Sequence, residues 1–363
     1  MWLHIITDDK FTAGLIDMFE TVASEQHVYG IRALKDTSLP TNCIPVVDEA
    51  DFKDLLSSRA DWLGVIFNPL APKCWPWLRL IPKHLRVIWY AWGFEGYGVW
   101  PPLSKYLYKE KTESWVKKNS KPVSKLRSEL RDLKVQYLGR RYLWRVDEFV
   151  SVIHRTHEVY QVSGLLTDRT TYRFGTVGNS FSFEAMPAEE ELGKHIQLGN
   201  SATPTNNHIE AIDWLAQMEL GARRVIVPLS YGSDEYRDMV CAYGKKRLGD
   251  TFQPVTDFMP FDEYKALLSQ CGIMFMNTIR PQGVGNTLIN LMNGAKVIVN
   301  DGPVYKTLKD WGVHLEIHSD VSRETFCDPL TRSEIEANRQ SVFKHASRAR
   351  VINELTDILN PQR

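Results

Sequence analysis

From His195 onward, short apolar runs alternate with longer segments whose apolar residues recur every three or four positions. His195–Gly199, Arg224–Leu229, Thr251–Val255, Ile273–Asn277 and Lys296–Asn300 are five or six residues long and predict strands. Between and after them, Asn206–Leu220, Asp234–Leu248, Phe261–Cys271, Asn286–Asn293 and Pro303–Trp311 predict helices. The first of these carries Ile209, Ile212, Leu215 and Met218 at helical spacing. Short, largely apolar strands alternating with amphipathic helices predict a parallel sheet covered on both faces. This half reads as a doubly wound α/β domain.

The N-terminal half is less regular. Leu3–Thr7, Trp62–Phe67 and Val87–Trp92 have the same buried-strand pattern, with helical segments at Thr12–Ser24 and Asp51–Arg59. A second doubly wound domain is expected. The boundary falls between Ser180 and Gly193, where Glu189-Glu190-Glu191 follows Pro187 in a stretch suited to an exposed linker. The expected domains are 1–185 and 186–363, the latter closing on one long helical segment, Glu334–Leu359. The N-terminus reads as a first strand rather than a signal peptide. No run of 18 apolar residues occurs, so no spanning segment is expected. Five scattered cysteines without metal-ligand spacing suit a reducing compartment, and a cytoplasmic-side protein is expected.

Composition narrows the class. At 43% hydrophobic and 24% charged over 363 residues, the chain is neither disordered, collagen-like nor a disulfide scaffold. The balance of 44 basic and 44 acidic residues argues against a dedicated nucleic-acid binder. The balance is uneven, however. Residues 101–145 hold 13 Lys/Arg against Glu110, Glu113, Glu129 and Asp132, a local excess of +9. Seven of the 11 tryptophans fall between Trp62 and Trp115. Aromatic residues beside basic ones suit an anionic membrane surface, with Trp75, Trp77 and the basic run as the expected attachment.

Ligands of open α/β sheets bind outside the carboxyl ends of the strands, and three predicted loops there are chemically suggestive. In Gly199-Asn200-Ser201-Ala202-Thr203-Pro204-Thr205-Asn206-Asn207-His208, Gly199 permits close backbone approach, Ser201 and Thr203 offer hydroxyls, and the helix beyond favours an anion such as a diphosphate. The plainer alternative is a helix start capped by Asn206. In Arg280-Pro281-Gln282-Gly283-Val284-Gly285-Asn286-Thr287 the glycines free the backbone and Arg280 adds charge, although the loop is neither a Walker A nor a full G-x-G-x-x-G motif. In Pro228-Leu229-Ser230-Tyr231-Gly232, Tyr231 could stack on a base or sugar, the plainer alternative being a turn with a surface Tyr. In the N-terminal half, Asp8, Asp9 and Lys10 follow the first strand and Glu95 follows Trp92-Gly93. A carboxylate there could deprotonate a sugar hydroxyl; the plainer alternative, favoured by position alone, is a solvated loop acid. No Asp-x-Asp occurs, and His154 and His157 lack a third ligand, so no metal is expected.

At these loops the chain resembles glycosyltransferase family 56, the TDP-N-acetylfucosamine:lipid II N-acetylfucosaminyltransferases or 4-alpha-L-fucosyltransferases. The matching residues are Gly199-Asn200-Ser201 with Asn206 and His208, Pro228 with Tyr231, Tyr264 through Cys271, then Arg280, Gln282, Gly283 and Gly285. Phe67-Asn68-Pro69 and Trp92-Gly93 match in the N-terminal half. The resemblance is dense over 195–300 and patchy before 100. Where the family pattern has Asp after Trp-Gly, this chain has Glu95, and Asn207, Pro281 and Asn286-Thr287 also depart from it.

The resemblance implies a GT-B fold, two Rossmann-like domains facing an interdomain cleft. It also implies metal-independent transfer of a deoxy-amino sugar, such as 4-acetamido-4,6-dideoxygalactose, from a dTDP-sugar. The acceptor would be a polyprenyl-diphosphate-linked saccharide of surface-polysaccharide synthesis, reached peripherally at the cytoplasmic face of the inner membrane, with no separate cofactor. Ser201, Arg280 and the backbone at Gly283 and Gly285 would hold the diphosphate, and Tyr231 and Tyr264 would line the nucleoside. Gly199, Asn200, Asn206, His208, Gln282 and Asn286 complete the expected donor site. Glu95 would be the catalytic carboxylate, with Asp8 as the second candidate. The rival readings are a nucleotide-sugar epimerase of the same architecture and a non-catalytic membrane scaffold.

Overall fold

The computed structural model describes residues 1–7, 12–32, 43–121, 124–176, 182–187 and 192–360. They form two compact units, one of Met1–Ser104, Val123–Glu184 and Ala346–Arg363, the other of Lys105–Pro122 and Ala185–His345.

The first unit is built on seven strands: β1 (Trp2–Thr7), β2 (His27–Arg32), β3 (Cys43–Pro45), β4 (Gly64–Asn68), β5 (Arg86–Tyr90), β6 (Glu148–Val150) and β7 (Thr171–Arg173). Their order is β3-β2-β1-β4-β5-β6-β7, parallel throughout. The second unit has six: β8 (His195–Leu198), β9 (Val225–Pro228), β10 (Phe252–Val255), β11 (Cys271–Met276), β12 (Lys296–Val299) and β13 (Glu316–Ile317). Their order, β10-β9-β8-β11-β12-β13, is again parallel throughout. Both sheets therefore have the doubly wound Rossmann order. The direction of winding reverses between β1 and β4 in one and between β8 and β11 in the other, where such folds open their ligand crevice.

Burial explains the apolar strands. Every residue of β4, β9 and β12 is buried, because helices cover both faces of a parallel sheet. Even Lys296 of β12, 3% exposed, is accommodated by donating to Thr325 O at 2.7 Å and pairing with Glu316 at 3.0 Å. The strands β2, β3, β6, β7 and β13 are additions to the sequence reading. The first includes His27, Gly30 and Arg32, and β6 is only three residues long, so neither shows an apolar run.

Four expectations require correction. The terminal segment Glu334–Leu359 is two helices, Arg332–Ala346 and Arg348–Leu359. The break comes where the backbone of 346 and 348 bonds to Phe183, while Ser347 caps the second helix through Arg350 N. This is also where the chain passes from the second unit to the first. A single cut at 185 consequently does not describe the units, since residues 105–122 lie in the second and 346–363 in the first. Nor does the basic run belong to one unit. Its helix Glu110–Asn119 belongs to the second unit and its helix Lys125–Tyr142 to the first. Finally, Trp75 and Trp77 are 0% and 4% exposed, with Trp77 stacked on Phe52 at 5.1 Å. These large apolar rings fill a core and cannot insert into a bilayer.

Candidate functional site

At the carboxyl end of β8 the chain turns at Gly199, with φ at +66°. A Cβ there would stand 2.7 Å from His208 Nε2 and 3.0 Å from Asn206 Oδ1, so the turn needs glycine for both conformation and space. Asn206 does not cap the following helix. Its Nδ2 donates to Ser201 O at 2.9 Å and Thr203 Oγ1 at 3.0 Å, and its Oδ1 accepts from Asn200 N at 3.3 Å. Asn206 is fully buried and holds the loop's shape. The helix starts at His208, with Asn207 before it in the left-handed region at φ 51°.

The three loops join through side chains that lie far apart in sequence. Asn200 Nδ2 donates to Tyr231 Oη at 2.9 Å, and Gln282 Nε2 donates to Asn200 Oδ1 at 3.1 Å and Thr203 Oγ1 at 2.8 Å. Ala202 N bonds to Tyr231 O at 2.7 Å, which ties the loop after β8 to that after β9. Asn286 Nδ2 donates to Tyr264 Oη at 2.6 Å. Burial, and then the neighbouring Tyr231, raise the pKa of the Tyr264 phenol. Gly283, at φ +62°, ends the loop after β11, and a Cβ there would meet Asn200 Cγ at 3.1 Å. Gly285 follows in the first turn of the helix Val284–Met292, where backbone N–H groups have no intrahelical partner. The structure thus gathers the expected residues of the second unit around the β8/β11 switch point. Ser201 is 1% exposed and its hydroxyl is engaged by Thr203, Asn206 and Gln282. These contacts shape the loop.

Arg280 lies in a pocket at the ends of β11 and β12, beside Thr278, Gln282, Thr287, Asn300 and Gly302. Two helices begin at this pocket, Val284–Met292 and Pro303–Asp310, and their N-terminal dipoles favour an anion. A second cation arrives from Lys109, a residue of the basic run. Lys109 Nζ donates to Asn277 Oδ1 and, at 3.1 Å, to the pocket residue Asn300. Burial lowers its pKa, opposed by the negative charge of Glu210. Lys109 is positioned by its own segment. Its N–H donates to Asn207 Oδ1 at 2.7 Å, Thr112 N and Oγ1 donate to the Glu210 carboxylate at 2.8 and 2.6 Å, and Trp115 packs on Tyr236. Tyr108, next to Lys109, has its pKa raised by burial and lowered by Arg280. Asn277 and Asn300 could have been noticed as polar residues closing two adjacent strands. For Lys109 no local signal exists.

His208 is fully buried with both ring nitrogens lacking a hydrogen-bond partner among the described residues, and burial lowers its pKa to about 3. It is a neutral imidazole against the Gly199 backbone. His157 Nε2 meets Thr170 O at 2.8 Å, a structural contact. Among the described residues no group of three His, Cys, Asp or Glu is placed to hold a metal.

In the first unit, the matching stretches at Asn68 and Trp92 meet: the Trp92 indole donates to Asn68 Oδ1. Glu95 Oε1 accepts from the Trp89 indole at 3.0 Å and from Trp92 N at 2.8 Å. Its side chain is 1% exposed, so the carboxylate is held in place by these two donors rather than standing open in a loop. Asp8, with Asp9 and Lys10, lies outside the described residues.

The profile of glycosyl transferase group 56, described as 4-alpha-L-fucosyltransferase, matches residues 152–343. Solved structures resemble the chain over nearly its whole length at low identity. Sucrose-phosphate synthase from Thermosynechococcus elongatus superposes with a TM-score of 0.64 at 12% identity, covering 99% of this chain and 98% of its own. Anabaena HepE in complex with UDP and glucose gives 0.63 at 11%, covering 99% and 97%. WaaG, a glycosyltransferase involved in lipopolysaccharide biosynthesis, gives 0.59 at 11%, covering 99% and 100%. With the two doubly wound units, these likenesses establish the GT-B fold.

Proposed function

Because the chain belongs to glycosyl transferase group 56, the 4-alpha-L-fucosyltransferase family, and is a glycosyltransferase, we propose that its second unit binds a dTDP-activated deoxy-amino sugar. On this reading the sugar passes to a polyprenyl-diphosphate-linked saccharide of bacterial surface-polysaccharide synthesis. The carrying observation is the convergence of Arg280, Lys109 and two helix N-termini on one pocket at the ends of β11 and β12. When the glycosyl–oxygen bond breaks, negative charge develops on the leaving diphosphate. Preorganised cations and backbone N–H groups stabilise that charge at the moment it appears. Tyr231 and Tyr264, joined to Asn200 and Asn286, line the nucleoside side. The complexes of HepE with UDP and glucose support a nucleotide-sugar donor for this fold.

If the transfer inverts the anomeric centre, Glu95 accepts the proton of the attacking hydroxyl. If it retains, Glu95 orients the acceptor. A polyprenyl acceptor remains in its bilayer, which requires peripheral attachment at the cytoplasmic face of the inner membrane. No described helix is long and apolar enough to cross one.

The test is a titration of the protein with dTDP, UDP and GDP, followed by incubation of the preferred nucleotide's amino-sugars with and without a polyprenyl-diphosphate acceptor. Binding of dTDP in preference to the others, with sugar transfer that needs the acceptor, is the expected result. Conversion of the sugar without acceptor would establish an epimerase instead. Since protein groups neutralise the diphosphate, transfer is expected to persist in EDTA, and loss that Mg²⁺ restores would overturn that part.

A further inference from the structure

The helix Lys125–Tyr142 presents an apolar stripe to water. Of its eighteen residues only Gly139 is buried, and Gly139 lies so close to Trp100 that a Cβ would stand 2.6 Å from that ring. On the other side, Leu126, Leu130, Leu133 and Tyr137 are 64%, 56%, 63% and 59% exposed. At 100° per residue these four fall within an arc of about 60°. Arg127, Lys134 and Arg141 border the stripe on one side, Lys125 and Arg140 on the other. The Arg141 guanidinium lies over Tyr137 at 5.9 Å, and the half-exposed Trp144 donates its indole N–H to Arg141 O at 2.9 Å. The helix's two acids, Glu129 and Asp132, are paired with Lys125 and Arg131.

We infer that this stripe is the surface by which the first unit docks on an anionic lipid bilayer. A row of leucines left in water is unfavourable, and a bilayer removes it from water without requiring a shaped groove. Long cationic side chains flanking such a row extend to the level of the lipid phosphates while the leucines sit below, and Tyr137 and Trp144 suit the interfacial depth. The complementarity is of charge and of depth: six basic residues in the helix against two acids that are already paired. The inference names the membrane partner's docking surface and rests on the peripheral attachment of the preceding reading. It replaces the attachment through Trp75 and Trp77.

The experiment is co-sedimentation of the full chain with phosphatidylglycerol/phosphatidylethanolamine vesicles and with phosphatidylcholine vesicles at low and high salt. Nucleotide diphosphate binding is measured on the same preparations. One variant carries Leu126→Ser, Leu130→Ser and Leu133→Ser; another carries Lys134→Gln, Arg140→Gln and Arg141→Gln. Wild type is expected to sediment with the anionic vesicles, less as salt rises. The charge variant is expected to partition about 100-fold more weakly, at about fivefold per basic residue, and the leucine variant at least about tenfold more weakly. Both keep wild-type nucleotide binding, because the substituted residues are exposed and lie outside the second unit. Undiminished partitioning of the leucine variant, or equal binding to neutral vesicles, overturns the inference. So does a wild type that ignores vesicles but dimerises through the stripe. Sedimentation without nucleotide binding would sink the transferase site and leave this surface standing. Nucleotide binding without sedimentation would sink the surface alone.

Discussion

At the scale of single residues, the donor site depends on backbone and charge in ways that separate cleanly. Gly199 and Gly221 both have positive φ, +66° and +58°. A side chain at 199 strikes His208 and Asn206, whereas at 221 it meets only Arg223 at 3.9 Å. Gly221→Ala is expected to cost about 1 kcal/mol and Gly199→Ala at least about twice that, with nucleotide affinity lost as well. Thermal melts and calorimetric titration with nucleotide diphosphate check both, and equal costs would refute the role given to His208 and Asn206. Arg280→Ala is expected to weaken nucleotide diphosphate binding by about 1.5–3 kcal/mol, the range of a charge-assisted contact. Lys109→Met should act similarly, and unchanged affinity for a folded variant removes that residue from the site. Glu95→Gln poses a different question. The amide oxygen of glutamine can still accept from Trp89 and Trp92, so the fold should persist while basicity is lost. Turnover is expected to fall about 10²–10⁴-fold with donor affinity unchanged. Near-normal turnover would direct attention to Asp8.

At the scale of elements, the periodic pattern located strands and helices well where helices cover a strand on both faces. The helices beginning at Asp234, Phe261 and Pro303 start where their patterns start. The pattern did not show which unit an element joins. The helix Glu110–Asn119 carries a strongly polar sequence, and its place in the second unit depends on Trp115 against Tyr236 and Thr112 against Glu210. Because Lys109 immediately precedes that helix, its position depends on the same contacts. Trp115→Ala, although remote from the pocket, is expected to loosen residues 105–122 and to weaken nucleotide binding, with about 2–3 kcal/mol lost in stability. Limited proteolysis within 105–122, compared with and without nucleotide, reads out the first effect. Full protection together with wild-type affinity would mean that Lys109 is held some other way.

For the whole molecule, buried histidines make stability fall with acid. Burial lowers His208 to about 3 and His27 to about 4, and His4, bonded to His27 at 2.8 Å, lies well below its ordinary value. Unfolded, each titrates near 6.5. Between those values the unfolded chain binds more protons than the folded one. The stabilisation is therefore complete above about pH 6.5 and lost as pH falls through 6.5 toward 4 and 3, by at most about 1.4 kcal/mol per pH unit for each histidine. The melting temperature should drop from pH 7 to pH 5, and His208→Leu should flatten that drop. A melting temperature constant over the range would contradict the burial of these imidazoles.

The sequence by itself determined the doubly wound class, most strands of the second unit and the loops that carry its site, because backbone periodicity and glycine placement are local consequences of composition. It also supplied the family, through residues whose joint occurrence is specific. The tertiary structure decided what rests on contacts between distant positions: that Asn206 braces a loop rather than capping a helix, that Trp75 and Trp77 fill a core, and that Glu95 is enclosed between Trp89 and Trp92. It also divided one basic run between two units, giving Lys109 to the pocket and the Leu126–Tyr137 stripe to solvent. A side chain's burial and partners are set by what packs against it from elsewhere in the chain. Local sequence pattern does not contain that information.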